Sequence, residues 1–247
     1  MYDNAIAREK ERMAALDTAG GNFTPAKTRE EASRYAVEQL GFKRADYGTK
    51  IDIEAVNHIN EQITRVQQKY PEVKGAVEDL DIVNRAHVYA QVVTFRTGNM
   101  TLEIGSELYG RGMDSIKKGY QKDVESGFHP TGTSAEAIIW HEYGHVLANI
   151  SSKKELSARA DEVFSYNDWI KRDSYYQDRK NKVQEKEWLR VAAKNLKTTQ
   201  KEIKQGISGY AEKNAAETFA EAFAEYHCSN SPRKEAVAMV EASGWNR

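Results

Sequence analysis

The stretch HVYAQVVTF (87–95), RTGN (96–99), MTLEI (100–104) is the part of this chain that decides its fold class. His87 to Phe95 is rich in β-branched and aromatic residues, which suits a strand. Gly98-Asn99 is a turn signal, and Met100 to Ile104 alternates with period two until Gly105 interrupts it. Leu80 to Val83 is a further short strand candidate. No other region has this composition, so the sheet is expected to be small.

Downstream the pattern changes to helix. From Asp114 onward the expected helices are Asp114–Glu125, Ala135–Ile150, Lys154–Tyr166, Tyr175–Leu196, Gln200–Gly206, Asn214–Cys228 and Pro232–Ala242. Ser231 is the expected cap of the last, with Pro232 at its first position. A strand block followed by helices argues an α+β fold.

Upstream, Ala5 to Leu16 is charged and helix-favouring until Gly20 to Pro25 break it. Thr28-Arg29-Glu30-Glu31 reads as a capping box opening a helix that runs to about Leu40. Ile53, Val56, Ile59, Ile63 and Val66 recur at helical spacing, and Tyr70-Pro71 should end that helix. The chain therefore divides into an N-terminal helical segment over 1–50 and a larger domain over 51–247.

Bulk properties exclude several classes. Thirty-six basic against 37 acidic residues leave a net charge of −1, so no overall field points to nucleic acid or an anionic membrane as partner. The basic run at Arg179–Lys182 is matched by Glu185 and Glu187 nearby. One cysteine, Cys228, excludes an intrachain disulfide. The start lacks a basic region followed by an apolar core, and no apolar run reaches membrane-spanning length, so the chain reads as cytoplasmic when made.

The chemistry begins at His141-Glu142-Tyr143-Gly144-His145. Thr133-Ser134-Ala135-Glu136 reads as a second capping box that opens its helix. Two histidines at i and i+4 project from one helical face, where both imidazoles can reach one zinc ion. Glu142, beside the first of them, is suited to act as general base on a water activated by the metal. Gly144 costs about 1 kcal/mol relative to alanine in a helix interior, which makes sense if another backbone or a substrate must come close.

A catalytic zinc takes a third protein ligand and keeps one position open. His58, His87, His129 and His227 are the other histidines, and none sits in the extension HExxHxxGxxH, because position 151 is Ser. A carboxylate from a later helix is the remaining common solution. Glu217 and Glu221 stand at i and i+4 in the stretch SGYAEKNAAETFAEAF (208–223), where a nearby cation would relieve their repulsion. Asp161, Glu162, Glu221 and Glu225 are alternatives to Glu217.

HEYGH followed by Tyr-x6-Glu-x-Phe-Ala-Glu-Ala-Phe resembles the gluzincin (HExxH…E) zinc metallopeptidases, in particular anthrax-lethal-factor-type catalytic domains and phage- and toxin-associated zincin-like domains. The likeness covers about Thr133–Ile150 and Ser208–Tyr226. It implies a zincin-like fold over 51–247, with Zn2+ held by His141, His145 and Glu217. It further implies Glu142 as base, Tyr210 as donor to the tetrahedral oxyanion, and Glu221 orienting a ligand histidine through its other ring nitrogen. Asn214 falls on a recurrent position of structural character. Zincins pair extended substrate with a strand at the sheet edge, and Met100–Ile104 is the candidate for that strand. The implied activity is a zinc-dependent endopeptidase acting on protein or peptide.

Tyr35–Gly41, Ala55–Asn60 and Tyr70–Val73 look like segments fused to phage minor head and head-morphogenesis proteins. That looser likeness admits phage structural proteins as partners, and packaging in a particle or export without a signal peptide. It also gives the alternative reading, a head-morphogenesis protein with a stabilising, non-catalytic zinc.

Overall fold

In a computed structural model the described residues are 23–95, 98–163 and 184–246. The expected helix at Ala5–Leu16, residues 164–166 and 175–183 of two further expected helices, and the Arg179–Lys182 run lie outside them.

Thr28 opens α1 (Arg29–Glu38) by accepting the Glu31 N–H on its hydroxyl. The Glu31 carboxylate takes the Lys27 N–H at 2.8 Å rather than that of Thr28, so only half of the expected capping box forms. Asp52 caps α2 (Ile53–Lys69), accepting the Ala55 N–H at 2.7 Å. The stripe read from the sequence is its buried face: Val56, Ile59, Ile63 and Val66 are each 0% exposed. Full burial of one such side chain contributes roughly 1.5–3 kcal/mol, so this stripe alone anchors α2.

The sheet has four strands: β1 (Arg44–Ala45), β2 (Val77–Val83), β3 (Ala90–Thr94) and β4 (Met100–Gly105), in the order β1-β2-β4-β3. β1, β2 and β4 run parallel, and β3 is antiparallel to β4. The fold is therefore α+β around a small mixed sheet. Met100–Ile104 is not an edge strand, because β4 lies between β2 and β3 and is covered on both sides. Its alternation reflects Thr101 and Glu103 in an otherwise apolar strand, not an exposed face. The sheet ends at β1 on one side and at β3 on the other, and β3 is half-buried along its length, with no strand on its far side among the described residues. β1 lies within 1–50 yet belongs to this sheet, and Ala32, Ala36, Leu40 and Phe42 join the same core as the residues after 51.

After α3 (Ser106–Tyr109) and α4 (Met113–Glu125), the chain enters α5 (Ala137–Val163). The Thr133 hydroxyl turns back to the Pro130 carbonyl at 2.6 Å, and Ala137 N–H bonds to Ser134 O, so the second expected capping box does not form. The helix passes through 150–154 unbroken, where two helices were expected. Its first half is buried all round, with Ile139, Trp140, Tyr143, Val146 and Leu147 in the core. α2, β3 and a late helix, α8 (Ala215–Cys228), pack around it.

Between them come α6 (Gln184–Leu196) and α7 (Gln200–Ile207), and α9 (Lys234–Ser243) closes the chain. α9 begins two residues later than expected, and Ser231 does not cap it. The Arg233 backbone N–H is instead fixed on the Glu225 carboxylate at 2.8 Å. Among the described residues, no helix is long and apolar enough to cross a membrane.

Candidate metal centre

His141 and His145 stand one turn apart on α5, with their rings 4.9 Å apart. Opposite them α8 starts at Asn214, whose side chain accepts the Glu217 N–H at 3.0 Å and so sets the first turn carrying that glutamate. The two helices meet at Gly144. A Cβ there would stand 3.0 Å from the Ala220 Cα, tighter than nearly all Cβ contacts, so the α8 backbone would have to draw back. The glycine is what lets the α8 backbone approach, and the approach brings Glu217 within reach of both histidines.

The three donor atoms form a nearly equilateral triangle. His145 Nε2 lies 3.2 Å from His141 Nε2 and 3.2 Å from Glu217 Oε2. His141 Nε2 lies 3.2 Å from Glu217 Oε2. Bonds of roughly 2.0–2.1 Å at the tetrahedral angle separate two donors by about 3.3 Å, so the triangle has the size of one face of a zinc tetrahedron. Among the described residues, these are the one group of three His, Cys, Asp or Glu side chains that converges in this way. Two imidazoles and one carboxylate also form a donor set that suits zinc.

Behind the triangle sits Glu221, 1% exposed. Its Oε1 lies 2.8 Å from His141 Nδ1, a close contact that is not well aligned for an N–H donor. Ser208 Oγ donates to Oε2 at 2.8 Å, and His129 Nδ1 approaches both oxygens at 3.2 and 3.3 Å. A buried carboxylate needs such partners, because unpaired it would lose its solvation uncompensated.

Electrostatics follow this arrangement. Burial alone would push the His141 imidazolium down, but the Glu217 and Glu221 carboxylates outweigh it and raise its pKa well above the ordinary histidine value. Burial would raise Glu217, yet hydrogen bonds with His141 and His145 hold it far below the carboxylate range. Glu221 opposes burial in the same way, through His129 and His141, and is lowered to about 2. Each shift points the same way, towards ionised carboxylates facing a protonated His141.

Glu142 is buried beside the triangle and accepts the Val92 N–H of edge strand β3 on Oε2 at 2.6 Å. Tyr210, in a short 3-10 turn, packs its ring 5.8 Å from His141. Lys213 Nζ donates to the Tyr210 oxygen at 3.2 Å and approaches Glu217 Oε1 at 3.3 Å. Donation into the phenol oxygen leaves the Tyr210 O–H free to donate elsewhere. A cleft of about 940 Å³ contains the cluster, and β3, Tyr120, Phe128, His129 and Tyr210 form parts of its wall.

All the residues singled out in the sequence (His141, Glu142, His145, Tyr210, Glu217 and Glu221) thus meet at one cleft. Asn214 serves as the cap of α8. Of the alternative ligands, Glu225 is committed to Arg233, and the side chains of Asp161 and Glu162 lie outside the described residues. His227 is a core residue stacked on Trp140 at 4.6 Å. Sequence reading missed His129, Ser208, Lys213 and the Val92 N–H. Lys213 carried a signal, being four residues before Glu217 and of the charge that two neighbouring glutamates call for.

Comparison with family profiles, with curated proteins and with solved structures finds nothing that this chain matches.

Proposed function

We propose that this chain is a zinc-dependent metallopeptidase of the gluzincin type with a zincin-like fold, cleaving an extended peptide in the cleft beside β3. The observation that carries the reading is the triangle of His141, His145 and Glu217 donors, 3.2 Å on each side, with a buried carboxylate adjoining it. A zinc ion there supplies Lewis acidity, polarising a carbonyl and easing removal of a proton from water.

The chain's own groups divide the remaining work. Glu142, oriented by the Val92 N–H, takes the proton of the attacking water and returns it to the leaving amine. Tyr210 directs its O–H toward the oxygen on which negative charge develops. Glu221 holds the His141 ring from behind. Beside the Val92 N–H held by Glu142, the outer edge of β3 has further backbone groups to offer an extended chain, taking the place expected of Met100–Ile104.

The test joins metal analysis to turnover on a broad peptide library. We expect one zinc per chain, cleavage that stops on chelation, and a loss of about 10²–10⁴-fold for Glu142→Gln at unchanged zinc content. Full activity in that variant would exclude the mechanism. Loss of structure on chelation, with no cleavage by the loaded protein, would instead favour the stabilising zinc of a head-morphogenesis protein.

A further inference from the structure

Lys213 is the junction between the short turn Tyr210–Glu212 and Asn214, the cap of α8. Its N–H bonds to the Tyr210 carbonyl at 3.2 Å, and in a 3-10 turn side chains three residues apart lie over one another. The lysine stem therefore folds back along Tyr210, with Nζ 4.8 Å from the ring centre. In the other direction Glu217 stands one helical turn further on. The ammonium ends between the two, 3.2 Å from the Tyr210 oxygen and 3.3 Å from Glu217 Oε1. Glu217 turns its other oxygen, Oε2, to His141 and His145.

The tyrosine ring is held by its surroundings. Gly209 N–H bonds to Gly127 O at 2.8 Å and Tyr210 N–H to Phe128 O at 3.0 Å, which ties this backbone to the loop before α5. The rings of Phe128, His141 and His129 lie 5.1, 5.8 and 6.0 Å from that of Tyr210. What these contacts leave unset is the rotation of the hydroxyl about its C–O bond. An ammonium has donors only, so Lys213 takes a lone pair of the phenol oxygen and the O–H must point away from it. Among the described residues that O–H has no acceptor, and Tyr210 lines the cleft.

We infer that Lys213 is a positioning residue, which directs the Tyr210 O–H at the developing oxyanion by holding the phenol oxygen and occupying Glu217 Oε1. With the ammonium gone, that carboxylate oxygen is left as a strong acceptor near the phenol, and the hydroxyl turns to it and away from the substrate. This inference rests on the peptidase reading and adds to it the control of one of its donors. The directed hydroxyl acts only as charge develops, so losing its direction lowers kcat and leaves KM as it was.

The critical variant is Lys213→Met, similar in length and uncharged. Removing an oxyanion donor outright costs about 10²–10³-fold, and misdirecting one costs less, so we expect kcat to fall about tenfold at unchanged KM. Zinc affinity, read with a chelating dye, should not fall, because Oε2 is the oxygen that meets the histidines. A binding measurement separates direction of the hydroxyl from the plain charge of the lysine. Calorimetry would follow a phosphinic peptide, built on the best library substrate, whose phosphorus oxygens mimic the tetrahedral oxyanion. Its affinity for the zinc-loaded protein should fall about tenfold in Lys213→Met, and replacing the lysine in a Tyr210→Phe background should cost nothing further. Unchanged kcat, a loss carried by KM, zinc loss in parallel with activity, or an equal loss of affinity in the Tyr210→Phe background would each overturn the assignment. A wild-type protein that is zinc-loaded and cleaves nothing would remove the peptidase reading itself, and this inference with it.

Discussion

α8 carries three glutamates at four-residue intervals, half-buried Glu217 and buried Glu221 and Glu225, and the chain treats them in two ways. Glu225 is closed by Arg233, whose Nε and Nη2 lie 2.8 and 2.9 Å from its oxygens while the Arg233 backbone N–H adds a third bond. Glu217 and Glu221 instead face imidazoles. A guanidinium stays charged at every accessible pH, so it occupies a carboxylate permanently. An imidazole can give up its proton and then offers a lone pair, so the same geometry can be vacated in favour of a cation. The first arrangement is an internal cross-link, and the second suits the cation site proposed above.

Substitutions along this row should separate the two. Glu217→Gln should weaken zinc binding by more than about 100-fold, because a ligand is lost rather than its support, and competition with a chelating dye would measure it. Glu221→Gln should cost about 10–100-fold in zinc affinity by the same assay, since it only orients a ligand. Glu225→Gln should leave zinc affinity unchanged and lower unfolding free energy by about 2 kcal/mol in urea. That is below the usual cost of breaking a buried pair, because Arg233 reaches water. Zinc loss in the Glu225 variant equal to that at Glu221 would erase the distinction.

A pH series sharpens it further. In the metal-free protein the raised His141 holds a proton that must leave before a metal binds. Zinc affinity should therefore climb with pH until that pKa is passed, by up to about tenfold per unit for one proton, and calorimetry in buffers of different ionisation enthalpy would count the protons released. The lowered carboxylate of Glu221 acts on stability with the opposite limit. Its contribution is complete above the ordinary glutamate range and disappears as pH falls toward about 2. Glu225, pushed up by burial despite Arg233, acts with the opposite sign, favouring the folded state as pH falls and losing that contribution as pH rises through its raised pKa.

The same contrast explains what could be read from the sequence. HEYGH and the Glu217/Glu221 pair were legible because helical periodicity is local, and four residues fix a face wherever the helix goes. Gly144 was legible as a close approach, and Ala220 is what approaches. The β3–β4 hairpin was also legible, but not which of its strands lies at the edge. That depends on β2 pairing with β4, a contact between Val77 and Met100 that neither segment announces. His129 and Ser208 were invisible for a similar reason. Each is a single polar residue in a loop, given meaning only by a carboxylate 92 and 13 residues away.

The Gly144–Ala220 contact has a kinetic corollary. His145 and Glu217 are 72 residues apart in the chain, so the three-donor pocket exists only after two distant helices have docked. An ion that needs all three donors arrives late and finds the native arrangement already made. It therefore acts as a brake on opening, lengthening the life of the folded molecule while leaving the speed at which that molecule forms almost untouched.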